Sequence, residues 1–324
     1  MDGCTGTDLS ARAPAARTCS EETVLATNPT TNAPGAHGTS HPTPDDVGAM
    51  YDQFGDLLAM TLGSTAVHIG MFVPHGEPAP VTSLVDLADL AQDRQTEFLI
   101  DTLHGAVGGT RAPHFLDIGC GTGGPALRLA ERTGGRVSAI TVSKTQLVRC
   151  EDRRRGHPAG ERVDFAYGNA MELSHPDASF DAAWSIDCVP HLSDRPAALR
   201  EALRVLRPGG HLLFTEFTLR GTPTEEESAA YTRLWTCPPL RPFSALVGEI
   251  EETGFRIARV QDMTANAVLC SELMSTLYQD RRAEIEERFG KEALTHTDPL
   301  MCPYRSFCRD HLDYHLVLLR KPDA

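Results

Sequence analysis

Between His114 and Phe217 the chain changes its hydrophobic rhythm again and again. The runs HFLDI, RVSAITV, VDFAYG, SFDAAWSID and HLLFTEF are apolar and about as long as a strand. GPALRLAERT, KTQLVRCEDRR and RPAALREALRVLRPGG repeat their apolar residues at helical spacing. In the last of these, Leu199, Leu203 and Leu206 make one face, and Pro208-Gly209-Gly210 is the expected stop. Strands alternating with helices of about a dozen residues predict βαβ units and a mostly parallel sheet, so the fold class is α/β.

Outside this region the rhythm differs. Residues 1–44 are rich in Thr, Ala, Pro, Gly and Ser and hold only Leu9 and Leu25 as large aliphatics, too little apolar surface to offset ordering entropy. They are expected to be disordered. Structure is expected from Asp45-Asp46, whose acids can cap a helix carrying Val47, Met50, Tyr51, Phe54, Leu57 and Leu58 on one face. A second helix opens at Ser83, with Asp86 as the far member of a capping box, and runs to about His104. After residue 220, two stretches (221–243 and 264–310) break the alternation and read as helical, with aromatics and proline loops. A helix from Ser244 to Gly254 and the strand FRIARVQDM lie between them, and YHLVLLRKP closes the chain as a strand. The organisation expected is a disordered segment 1–44, covering helices over 45–110, a ligand-binding core over 111–220, and a lid with the last strands over 221–324.

Charge narrows the partners. The 324 residues hold 30 basic against 44 acidic side chains, a net charge of −14, and Arg153-Arg154-Arg155 reads as a solvated helix end. Gripping nucleic-acid phosphates needs clustered cations, so nucleic acid is excluded as the expected partner. The nine cysteines form no C-x-x-C pair, which argues against a zinc site and fits a reducing cytoplasm. No run approaches the ~20 apolar residues of a membrane helix, and no secretory signal is visible.

HFLDIGCGTGGPALRL carries the chemistry. Gly119, Gly121 and Gly124 satisfy G-x-G-x-x-G, while Gly119, Gly121 and Gly123 satisfy G-x-G-x-G with Asp117 two residues ahead. At this point of a doubly wound sheet the loop is expected to hold a ligand beside the carboxyl end of the first strand. Asp117 would repel a pyrophosphate and attract an ammonium group, which favours S-adenosylmethionine (SAM) over NAD.

LDIGCGTGG, followed in order by GNAMELSHPDASFDAAWSIDCVPHL, ALREALRVLRPGGHLLFTEF and YHLVLLRKP, resembles the class I SAM-dependent methyltransferases from about Asp46 to the C-terminus. The resemblance implies a Rossmann-like sheet of seven strands, the last antiparallel, with a helical lid. YDQFGDLLAMTLGSTAVHIGMF and ITVSKTQL are most similar to the natural-product branch: bacterial prenyl and terpenoid C-methyltransferases, including enzymes of indole-alkaloid terpenoids, and sugar O-methyltransferases. Relatives of this kind act on small molecules and are often homo-oligomers. Many carry a ribose-binding acid where Thr141 stands here, with Gln146 as a polar substitute; its absence also weakens an NAD reading. Asn169 replaces the usual adenine-binding Asp, with Ala170 and Met171 beside it, although Met171 reads equally well as a core methionine.

By the same comparison Asp187 and His191, at the end of the fourth strand, face the methyl donor as catalytic candidates, and Glu216 in TEF is a third. Tyr51 is a catalytic candidate and His68 a cofactor-binding one, both from the segment that folds over the donor; Tyr51 also suits an apolar helix face. No metal site is expected. Phe72, Tyr231, Trp235, Phe243 and Tyr304 are aromatic candidates for stabilising a carbocation formed by C-methylation of a prenyl chain, which a cyclisation can follow. This is the favoured expectation. O-methylation of a sugar or phenol is the alternative, with an oxidoreductase or a non-catalytic SAM-binding module as remote ones.

Overall fold

The computed structural model describes residues 41–72 and 81–323; the expectation of disorder over residues 1–40 lies outside them. The first helix, α1, spans Pro44–Thr61, and its cap is Thr43 rather than the acids after it. Thr43 Oγ1 accepts from the Asp46 amide at 3.3 Å while the Asp46 carboxylate accepts from the Thr43 amide at 2.9 Å, a reciprocal capping box. Helix α2 spans Leu84–Val107 with Ser83 as its cap. The second half of that expected box is diverted, because the Asp86 carboxylate bonds Thr82 instead.

Then come β1 (His114–Ile118), α3 (Gly124–Thr133), β2 (Arg136–Thr141), α4 (Lys144–Arg154), β3 (Val163–Tyr167), β4 (Phe180–Ser185), α5 (Arg195–Val205) and β5 (Leu206–Leu219). Helix α5 ends at Val205, three residues before the expected Pro-Gly-Gly stop, because Leu206 already pairs with Phe180 on β4. Pro208-Gly209-Gly210 instead lies where the β4–β5 register shifts, between Phe180 and Ala182. The chain continues through α6 (Glu225–Trp235), α7 (Phe243–Thr253), β6 (Arg256–Asp262), α8 (Thr264–Asp280), α9 (Arg282–Phe289), α10 (Lys291–His311) and β7 (Leu312–Arg320).

The seven strands form one sheet in the order β3-β2-β1-β4-β5-β7-β6. Neighbours from β3 to β5 are parallel, and β7 runs antiparallel to both β5 and β6. Side chains alternate between two cores, as the two-residue period of a strand requires. On β4, Ala182 and Trp184 join the core under α2, α8 and α10 while Ala183 joins the core under α5 and α7; Phe180, on the other side of the register shift, joins the same core as Ala183.

Residues 62–69, which leave α1, form no helix or strand, and polar side chains satisfy their backbone instead. Buried Gln92 alone accepts from the Ala66 amide and Thr65 Oγ1, both at 3.1 Å, and donates to the carbonyls of Leu62 (3.1 Å) and His68 (3.0 Å). Arg153, from the basic run, donates to the carbonyls of Ser64 and Thr65 at 3.0 and 2.9 Å. Helix α1 is tied to the β3–α4 edge by three carboxylates: Asp45 to Tyr167, Asp52 to Ser143 and Thr145, Asp56 to Arg149.

At Gly48 the α1 backbone lies on the Val142 carbonyl so closely that a Cβ would overlap it. Gly→Ala inside a helix normally stabilises by roughly 0.5–1 kcal/mol. Here Gly48→Ala should destabilise by about 1–3 kcal/mol, because it forces α1 outward. Thermal unfolding checks the sign; a raised Tm would contradict this packing.

Candidate active site

The carboxyl ends of β1, β2 and β4 open into a chamber. Its floor is the glycine loop after Ile118, its sides the ends of β2 and β4, and its roof Val47 and Tyr51 of α1. Gly119 packs against Cys188 and Gly123 against the Phe165 ring, so neither position has room for a side chain. Gly121 differs. It lines the chamber with φ +54°, and a Cβ there would meet no protein atom within 4 Å.

Of the residues expected at this ligand, Gly119, Gly121, Thr141, Gln146, Asn169, Ala170, Met171, Asp187, His191 and Tyr51 line the chamber. Thr141 Oγ1 donates to Gln146 Oε1 at 2.8 Å, which leaves the Gln146 amide protons for a partner. Asn169 Oδ1 already accepts from the Met171 amide at 3.0 Å, so one of its two lone pairs is taken. Met171 lines the chamber while its sulfur accepts from Ser193 Oγ and the Asp194 amide.

Asp117 sits just before the loop, 2 % exposed, and its Oδ2 has no hydrogen-bond partner. Burial pushes its carboxyl up to about 7. An unpartnered buried carboxylate is costly and is relieved by a cation. The acid beside the loop, the empty space at Gly121 and the absence of Lys or Arg from the chamber's described lining together fit the ammonium, sulfonium and adenosyl parts of SAM.

A second chamber adjoins the first and shares Tyr51, Val67, Asp187 and His191 with it. Phe217, Tyr231, Trp235 and Tyr304 give it an aromatic wall. His68 belongs to this wall and not to the SAM-side chamber where it was expected. Its ring is bonded on both sides, Nδ1 to the Ile69 carbonyl at 2.7 Å and Nε2 to Thr96 Oγ1 at 3.0 Å. A carbonyl only accepts, so Nδ1 carries the proton.

Asp187 was expected as a catalytic carboxylate, and its hydrogen bonds show a clamp. Oδ2 accepts from the Ile69 amide at 2.7 Å, and Oδ1 accepts from Thr215 Oγ1 at 2.6 Å and from Tyr314 Oη at 2.7 Å. Its backbone sits at φ +52°, a conformation side chains rarely adopt, at a chamber junction.

His191 and Tyr51 are free to do more. Tyr51 Oη lies 2.9 Å from His191 Nε2, and His191 Nδ1 lies 3.4 Å from the Thr236 carbonyl. The carbonyl fixes the proton on Nδ1, so Nε2 accepts from the Tyr51 hydroxyl. Burial lowers the imidazole below its ordinary range and raises the phenol far above its own, so both are neutral at neutral pH.

Three expected candidates lie elsewhere. Glu216 is sealed among Arg195 (3.0 Å), Glu249 and the opposite core, and burial pushes its carboxyl up to about 7 in spite of the guanidinium. It reaches neither chamber because its neighbours Thr215 and Phe217 take the chamber-facing side of β5. Phe243 packs on His315, ring centroids 4.4 Å apart, and Phe72 is buried outside both chambers. Conversely, Val67, Phe217, Thr215 and Tyr314 were not foreseen. Tyr314 was within reach, since an antiparallel last strand begins at the same edge where the parallel ones end.

The profile of the methyltransferase-domain family matches residues 116–214, from β1 through β5. The O-methyltransferase resE of Aspergillus sclerotiorum is 34% identical over 70% of this chain and 82% of its own length. The 27-O-demethylrifamycin SV methyltransferase of Amycolatopsis mediterranei is 37% identical over 58% of this chain and 64% of its own. Among solved structures, the [4+2]-cyclase SpnF superposes with a TM-score of 0.73 at 29% identity, covering 88% of this chain and 98% of that one. The protein belongs to the class I SAM-dependent methyltransferases, and within them to the natural-product type.

Two outcomes test the SAM-side chamber with S-adenosylhomocysteine (SAH) in calorimetric titration. Gly121→Val should abolish binding, since its side chain enters ligand space, at some cost in stability from a β-branched residue at φ +54°; unchanged affinity would sink the assignment of this loop. An ammonium pairs only with ionised Asp117, and a carboxyl titrating at about 7 becomes charged as pH rises. SAH affinity should therefore climb up to ~10-fold between about pH 6 and 8, and Asp117→Asn should bind weakly without that slope.

Proposed function

We propose that the protein methylates a hydroxyl oxygen of a hydrophobic small-molecule natural product, with Tyr51 and His191 as the proton-accepting pair. The observation that carries this reading is a neutral Tyr–His pair at the junction of the two chambers. SAM, when bound, supplies an electrophilic methyl group. Asp117 would hold its ammonium, Gly119 and Gly121 its amino-acid portion, Gln146 with Thr141 the ribose, and Asn169, Ala170 and Met171 the adenine.

A hydroxyl is a weak nucleophile until its proton has somewhere to go. His191 Nε2 has a single lone pair, and Tyr51 occupies it. An acceptor hydroxyl would therefore donate to Tyr51 Oη, and the Tyr51 proton would pass to Nε2 as the oxygen attacks. Val67 and the aromatic wall exclude water and hold the acceptor in line, where positioning supplies several kcal/mol (roughly 7–11 at best). The relatives named O-methyltransferases support the same choice.

C-methylation of a prenyl chain is the second reading. Phe217, Tyr231, Trp235 and Tyr304 favour it, because aromatic faces stabilise a carbocation without any base.

SAM labelled with carbon-13 at the methyl group, incubated with the protein and an extract of the producing cells, separates the two. A new proton–carbon correlation at methoxy shift is expected; a signal at aliphatic C-methyl shift would overturn the O-methylation reading. His191→Ala should lower kcat by roughly 10²- to 10⁴-fold with SAH affinity retained. Because burial lowers the His191 pKa, wild-type kcat should hold as pH falls until a point below ordinary histidine titration. A full-speed variant would remove the base from the mechanism.

A further inference from the structure

Resting on that methyltransferase reading, the geometry of the second chamber says more about what enters it. Tyr231 of α6 lines the chamber and is only 3 % exposed. Its ring is held at several points: against Phe307 with centroids 4.8 Å apart, against Tyr304 at 6.3 Å and against Phe217 at 6.5 Å. Its hydroxyl, by contrast, has no hydrogen-bond partner among the described residues, although Tyr278 and Tyr314 in the same core both donate to carboxylates. It is also absent from the partnerless polar atoms that are fully sealed off, such as Gln95 Oε1 and Trp184 Nε1, so its oxygen keeps accessible surface. For a residue so buried, that surface belongs to the chamber.

Buried hydroxyls are almost always bonded, and one that is left free and accessible inside an aromatic pocket is paired by whatever fills the pocket. The described lining holds no Lys or Arg, and its carboxylate, Asp187, already accepts three protein hydrogen bonds. Nothing there balances an anionic ligand. Flat aromatic walls favour a flat partner.

We propose that Tyr231 is a specificity-determining residue, its hydroxyl bonding an oxygen of the acceptor other than the one methylated, and that the acceptor is a neutral, unsaturated or aromatic compound with at least two oxygen functions. Tyr51 with His191 handles one oxygen and Tyr231 recognises the other.

Calorimetric titration of the SAH-loaded protein with 1-naphthol and with 1,5-dihydroxynaphthalene tests this without needing turnover. The diol should bind about five- to tenfold tighter to wild type, the fold-change of one net hydrogen bond. In Tyr231→Phe that preference should vanish while 1-naphthol affinity stays constant. Ligand-free Tyr231→Phe should melt at or above the wild-type temperature, since no protein hydrogen bond is lost. Equal affinities in wild type, a preference that survives in Tyr231→Phe, a Tm lowered by several degrees, or failure of both probes to bind would each overturn the proposal. Methyl transfer to either probe is not required, so the labelled-SAM experiment can fail while this one succeeds, and the reverse.

Discussion

One carboxylate joins parts of the chain that are otherwise far apart. Asp187, at the end of β4, takes hydrogen bonds from the amide of Ile69, from Thr215 on β5 and from Tyr314 on β7, and Gln95 of α2 donates in turn to the Tyr314 hydroxyl. A buried charge is tolerable only when it is well hydrogen-bonded, and here three donors bond it. The cost of removing any one partner is thus the cost of leaving an underbonded carboxylate in a dry core. The arrangement resists piecemeal loss. It also explains the left-handed backbone at Asp187: several elements over-determine that position, and strain of order 1–3 kcal/mol persists only under such conditions.

From this node the two chambers follow. The Ile69 amide is one anchor of the irregular stretch that begins at Leu62, and Val67 within that stretch walls both chambers. Gln92 and Arg153 hold the same stretch from the other side. Backbone amides and carbonyls that a helix would have paired internally are paired to side chains instead. Phe217 and Tyr314 stack beneath it, 4.7 Å between ring centroids, so the acceptor-side floor is tied to the same carboxylate.

What the sequence made legible was local. The sheet, most helix boundaries and the glycine loop depend on periodicities and turn chemistry within a dozen residues; of the residues quoted for the loop, Gly119 and Gly121 line the SAM-side chamber, while Asp117, Gly123 and Gly124 lie outside its lining. What escaped was decided at long range. Glu216 and Phe217 are neighbours in sequence, yet a strand's two-residue period sends one to an ion pair with Arg195 and the other into the acceptor-side chamber. Reading TEF as a strand end did not say which face each residue took. Asp187 reads as a catalytic carboxylate because acids at strand ends often are; that it also accepts three protein hydrogen bonds depends on Ile69, Thr215 and Tyr314, 118, 28 and 127 residues away. His68 and Phe243 failed for the same reason, each held by a partner that no local pattern names.

Long range also governs the chemistry. Tyr51 and His191 are 140 residues apart, and their hydrogen bond exists only while α1 lies across the chamber. Helix α1 is held there by Asp45, Asp52 and Asp56 against the β3–α4 edge and by the bare backbone of Gly48. The roof of the SAM-side chamber and the proton-accepting pair are therefore one mechanical unit. If α1 moves away, Val47 and Tyr51 leave together, the chamber opens, and His191 loses its neighbour in the same motion. Water exclusion and base placement are in that way satisfied by the docking of one helix. One sequence element that secures it, a glycine inside a helix, would otherwise be a liability for that helix.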